Sequence, residues 1–85
     1  MKHKDHIEGY TDMKELAKAI GSMKYDTVAE LLKYCSEDIS RQAQNDRKRN
    51  RKKLATKLEE TASQLNVASL EMYQAWRICE PHMKD

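Results

Sequence analysis

Phenylalanine is missing from this chain of 85 residues, glycine occurs twice and proline once. Gly9, Gly21 and Pro81 are the strong backbone breakers, so residues 22 to 80 contain neither type. Such a stretch, rich in Ala, Leu, Glu, Lys, Gln and Arg, argues against a turn-rich β-sandwich or barrel and for helix almost throughout. One Trp and four Tyr make up the aromatics, a thin supply for a thick core. Helices that each bury a narrow stripe suit it better. Two cysteines, Cys35 and Cys79, make no disulfide framework, and both are read as small hydrophobes on buried helical faces. No stretch approaches the roughly 20 apolar residues needed to span a bilayer, and "MKHKDHIEG" has no apolar run of signal-peptide length. The expectation is a cytoplasmic protein with no membrane contact.

Catalytic signatures are missing too. There is no Gly-rich phosphate loop, nucleophile elbow or metalloprotease helix. Glu37 with Asp38, and Glu59 with Glu60, are adjacent in sequence and so point to different helical faces, which disqualifies them as paired acid and base. No enzyme activity and no cofactor are expected. Two short motifs, His3 with His6 and Cys79 with His82, would form a tetrahedral zinc site only if the chain ends met. His3 could also join the N-terminal amine in holding Cu²⁺ or Ni²⁺. Neither spacing is specific, and no metal site is assigned.

What the chain does have is apolar periodicity. "DMKE" offers Asp12 as an N-cap with Glu15 three residues on, and Met13, Leu16, Ala17 and Ile20 make one apolar face. Gly21 is expected to stop this helix in a left-handed conformation. Thr27 and Glu30 read as a second capping box. Val28, Leu31, Leu32, Cys35 and Ile39 form the next stripe, which fades at Ala43. A third begins at Leu54 and runs through Leu58, Ala62, Leu65, Ser69, Met72, Trp76 and Cys79. In it Leu58, Leu65, Met72 and Cys79 lie seven apart, the spacing of a coiled-coil seam. Pro81 ends it.

Between the second and third stripes lies "QNDRKRNRKK". Six of the seven residues from 47 to 53 are Arg or Lys, against a formal net charge of +2, so the rest of the chain sums to −4. Six charges over seven helical positions occupy every face, and none could be buried cheaply. A single rod would have to carry its seam through them. Two antiparallel helices reversing near Asn45–Asn50 bury both stripes instead. The sequence therefore predicts an all-α fold, a short N-terminal helix packed on a long antiparallel helical hairpin, three-helix and coiled-coil-like. The expected organisation is a flexible segment 1–11, one helical domain 12–80 with helices near 12–20, 27–44 and 51–79, and a tail 81–85. A chain of this size is marginal alone, so association with itself or with a partner is expected, a homodimer being one form, and the sequence does not choose between dimer and monomer.

Two surfaces stand out for function. Leu65, Met72, Tyr73 and Trp76 are the expected protein interface, since Trp, Tyr and Met are enriched where proteins meet. Arg47, Lys48, Arg49, Arg51, Lys52 and Lys53 form a cationic tip. The favoured reading is a small non-catalytic regulator or inhibitor that docks on a larger protein, with the tip steering the encounter. The alternative is a DNA- or RNA-binding regulator using the same tip on phosphates. "ELAKAIGSMKYDTVAELL" resembles the first half of a helix-turn-helix, which would start a recognition helix at Thr27. Its second half departs from that pattern, with Val28 and Leu31 one position late and Asp26 and Glu30 set to repel phosphate.

Overall fold

The structure, a computed structural model, describes residues 3–82; Met1, Lys2 and residues 83–85 lie outside it, and with them parts of the expected terminal segments and the N-terminal amine. Three α-helices follow in order: α1 Met13–Gly21, α2 Tyr25–Lys48 and α3 Lys52–Cys79, with a 3-10 turn at Glu80–His82. The fold is all-α, and its extensive contact is between α2 and α3, which pack as an antiparallel hairpin.

α1 starts where its cap predicts. The Asp12 side chain accepts a hydrogen bond from the Glu15 amide at 2.8 Å, satisfying one of the donors a helix N-terminus leaves unpaired. Its end differs from expectation. Gly21 stays within the helix, and the amides of Ser22 and Met23 close the last turn on the carbonyls of Lys18 and Ile20. With those carbonyls satisfied by the ordinary backbone path, no left-handed residue is needed. Nothing in α1 is fully buried, and Leu16 and Ile20 are half-buried.

α2 starts two residues before the expected capping box. Lys24 occupies the N-cap position without a side-chain bond, and the Thr27 amide bonds to the adjacent Asp26 carboxylate at 2.8 Å. The helix also runs four residues beyond Gln44, into the basic run, before it turns. Arg47 and Lys48 in its last turn sit at the negative end of the helix dipole, where cations are favourable.

Asn50 makes the reversal. It holds φ 62°, a left-handed conformation that Asn tolerates better than most residues because its short side chain bonds locally. With Asn50 there, the Asn50 amide bonds to the Arg47 carbonyl at 3.1 Å and the Arg51 amide reaches back to the Asp46 carbonyl at 2.8 Å. This double closure ends one helix. Arg51 is at once the N-cap of α3, and the Ala55 amide bonds to its carbonyl at 2.9 Å. Three residues turn the chain through a hairpin.

Small residues form the seam between α2 and α3. Ala29, Ser36 and Ala43 on α2 recur every seven residues, as do Ala55, Ala62 and Ser69 on α3, and all six are buried. The Ser36 hydroxyl donates to the Ala62 carbonyl at 2.7 Å. The Ser69 hydroxyl donates to the Ala29 carbonyl at 2.6 Å. A serine side chain is short, so it reaches the opposing backbone only if the helices approach closely, which small residues at the contact permit. These two bonds also fix the antiparallel register, with 36 opposite 62 and 29 opposite 69. Among the described residues no buried polar side-chain atom is left without a partner.

The seam leaves little interior. Its buried apolar residues are Val28, Ala29, Ala43, Ala55 and Ala62, and among the described residues no large side chain is fully buried. The molecule measures 51 × 30 × 13 Å. Helix axes stack about 8–10 Å apart, so the thin dimension corresponds to a single helical layer with its twist.

Candidate functional site

Three positions after Ala29 and Ser36 on α2 lie Leu32 and Ile39, and three after Ala55, Ala62 and Ser69 on α3 lie Leu58, Leu65 and Met72; the same step from Ala43 reaches Asp46, which bounds the apolar stretch on α2. In an antiparallel pair this offset turns both sets to the same broad face of the hairpin. All five are half-buried. The positions just before the seam residues fall on the same face: Val28, Cys35 and Gln42 on α2, and Leu54, Thr61, Ala68 and Ala75 on α3. Over that span the face carries no charged residue.

The opposite face is mixed, mostly polar with Tyr34, Leu70 and Tyr73 exposed toward the open end. One shallow groove there is lined by Ser36, Glu37, Ser40, Arg41, Gln44, Glu59, Ser63 and Asn66. A second is lined by Asp26, Glu30, Lys33, Tyr34 and Tyr73 over the Ala29–Ser69 contact. The Asp38 carboxylate on the outside of α2 accepts from Gln42 Nε2 at 2.9 Å and from Arg41 Nη2 at 3.0 Å. Hydrogen bonds from Gln42 and then Arg41 hold its pKa below the usual carboxylate value.

The four expected interface residues do not share a face. Leu65 and Met72 lie on the apolar face. Tyr73 is turned to the polar groove and is 53% exposed. Trp76 continues the seam line at the open end of the hairpin, half-buried, with Lys24 Nζ 5.9 Å from its ring centroid. Cys35, expected to be buried, is exposed. It precedes Ser36, and the small-residue line, not the line through Cys35, faces α3. Cys79 is half-buried near the end of α3.

At the tip the six cations divide into two kinds. Arg47 pairs with Glu59, its Nη2 2.7 Å and its Nε 3.3 Å from the two carboxylate oxygens. Arg51 pairs with Asp46 at 3.3 Å. These two clamp α2 to α3 beside the turn, although exposed ion pairs contribute little stability each. Among the described residues Lys48, Arg49, Lys52 and Lys53 form no ion pair. Lys52 and Lys53 lie in the first turn of α3, which has no acidic residue and no side-chain cap. Cations there oppose the helix dipole, so their placement costs the fold stability and leaves four unneutralised charges in one place.

No protein-family model, curated protein or solved structure matches the chain. Its surfaces are therefore the argument about what it does. Among the described residues no three His, Cys, Asp or Glu side chains converge as metal ligands, and His3, His6, Cys79 and His82 are not brought together. Among them, too, no helix is long and apolar enough to cross a membrane. At the α1–α2 corner, the first turns of α2 bury Val28 and Ala29, so a recognition helix starting at Thr27 would have its opening residues occupied.

The seam residues that the stripe pattern passed over are Ala29, Ser36 and Ala55. Their signal was present in the seven-residue recurrence of small side chains on both helices. A search for the most hydrophobic stripe ranks that line below the leucines.

Proposed function

We propose that this protein is a non-catalytic helical binding module that acts as a regulator or inhibitor by docking on a larger protein. One observation carries the reading: an uncharged apolar face, centred on Leu32, Ile39, Leu58, Leu65 and Met72, that a single helical layer leaves half open. Domains are stable when such a face is buried against a second layer, and exposed patches of this kind mark association sites. The apolar face is thus the association surface. The cationic tip stays outside it and steers the assembled protein toward an acidic surface on its target, raising the encounter rate.

The test is affinity purification with the full chain and two variants. One replaces Leu65 and Met72 with Lys; the other replaces Arg47, Lys48, Arg49, Arg51, Lys52 and Lys53 with Gln. Wild type should retain one protein at defined stoichiometry. The face variant should lose it, and the tip variant should bind more slowly with weak dependence on salt. A wild-type chain that retains no protein at low ionic strength would refute the docking reading.

A second reading has its own support. Lys48, Arg49, Lys52 and Lys53 are unpaired at a turn that also presents Asn45 and Asn50, and such a cluster suits the phosphates of DNA or RNA. No aromatic residue lies within the tip to stack on bases, so contact would be to the backbone. Retention of duplex and single-stranded oligonucleotides across a salt series separates the two. Steep salt dependence that vanishes in the tip variant favours nucleic acid; weak retention throughout favours protein.

A further inference from the structure

We propose that the apolar face is covered by a second copy of this chain, forming a four-helix dimer with the two cationic tips at opposite ends and Cys35 beside its two-fold axis. The inference rests on the reading of that face as the association surface and names its occupant.

The area fits a copy of the same face. On α3 the uncharged span runs from Leu54 to Ala75, about 32 Å at 1.5 Å per residue, and two adjacent helices are about 20 Å across. On α2 the uncharged span from Val28 to Gln42 is shorter, about 21 Å, so at about 10 Å of width per helix the footprint is roughly 500 Å² before side-chain relief. It is more than half of the roughly 800 Å² of accessible surface that each partner buries in a stable interface. A two-fold contact is self-complementary by construction, and an uncharged face places no like charges against each other. A second layer would also supply the buried leucine core that the hairpin lacks.

Charge selects the arrangement. Two hairpins can stack face to face with their tips at the same end or at opposite ends. The first places two clusters of six cations side by side. The second holds the two tips apart by about the length of the hairpin, so the like charges do not face each other. The tips-apart dimer is favoured.

The register then places the axis. On α2 the uncharged span from Val28 to Gln42 is centred on residue 35. On α3 the span from Leu54 to Ala75 is centred between 64 and 65, which the two serine bonds set opposite 33 and 34. Superposing the two faces therefore puts the two-fold within about one residue of Cys35, on the same flank of α2. With layers about 10 Å apart, the two Cys35 Cβ atoms come within roughly 4–5 Å, close to disulfide distance. In the tips-together dimer they fall on opposite edges of the interface, roughly 12 Å apart by the same helix dimensions.

The test combines mass and crosslinking on the full chain. Light scattering should give twice the 10.0 kDa chain mass, reduced to the single mass by Leu65→Glu and unchanged by Ser63→Glu on the polar face. Diamide takes two electrons and two protons from a pair of thiols, giving a disulfide and the hydrazine. Treated with it, the Cys79→Ser variant should form a covalent dimer, and the Cys35→Ser variant none. Crosslinking of the Cys79→Ser variant reads the unaltered apolar face even if Leu65→Glu fails to fold. A folded wild-type monomer at every concentration overturns the dimer and leaves docking on another protein intact. A dimer that survives Leu65→Glu overturns both, because the face is then not the association surface. A dimer with no Cys35 crosslink overturns the tips-apart arrangement.

Discussion

Replacing Ala62 with Leu should strongly destabilise the hairpin, because Ala62 sits in the small-residue seam where Ser36 of α2 bonds to the backbone of α3. Ala62 is 6% exposed, and its carbonyl accepts the Ser36 hydroxyl at 2.7 Å. Three added carbon atoms have no room unless α2 and α3 separate, and overpacking of this kind costs about 1–3 kcal/mol. Separation also stretches the Ser36 bond and, through the shared register, the Ser69 bond to Ala29. Each such bond contributes about 1 kcal/mol, so the total loss is about 3–5 kcal/mol. Small domains are stable by only about 5–15 kcal/mol, and the melting temperature should fall by roughly 12–40 °C at about 4–8 °C per kcal/mol. Urea unfolding followed by circular dichroism at 222 nm, at one fixed protein concentration because association shifts the midpoint, measures the effect. Ser63→Leu adds comparable bulk at an exposed neighbouring position and should change stability by less than about 0.5 kcal/mol. Ser36→Ala should lose about 1 kcal/mol, since it removes one bond without forcing the helices apart. An Ala62→Leu midpoint equal to or above that of wild type would refute the close-packed seam.

The turn gives a second prediction: Asn50→Val should destabilise by about 1–2 kcal/mol, because a β-branched residue resists the left-handed conformation, while Asn50→Gly should be neutral or stabilising in the same urea assay. Asp12→Ala should cost about 1 kcal/mol through loss of the α1 cap, read as reduced amide protection at Glu15 in hydrogen exchange. The Asp38 carboxyl should titrate below the usual range in a carbon-detected NMR titration, and Gln42→Ala should move it back up. Because the folded state holds that pKa below its unfolded value, Asp38 contributes stability above the ordinary carboxylate range, and the contribution disappears as pH falls through the lowered value.

Much of this protein was legible from local chemistry. The absence of breakers between 22 and 80 and the supply of strong helix formers specify helix before any tertiary contact forms. Asp12 marked the start of α1 because a cap acts on its own helix and needs no distant partner. The six cations from 47 to 53 made an unbroken buried seam through that region too costly, and the chain does reverse there, at Arg49–Arg51.

Tertiary structure decided which side of each helix faces the other. α3 carries two lines of residues spaced by seven, one of Leu58, Leu65 and Met72 and one of Ala55, Ala62 and Ser69. Hydrophobicity alone favours the first. The fold seats the second in the seam, because small side chains let two backbones approach until Ser36 and Ser69 bond to opposing carbonyls. That choice rolls the leucines onto one broad face, exposes Cys35 and parts Met72 from Tyr73. None of this is written in the periodicity of one helix, since it depends on how closely a second helix can come.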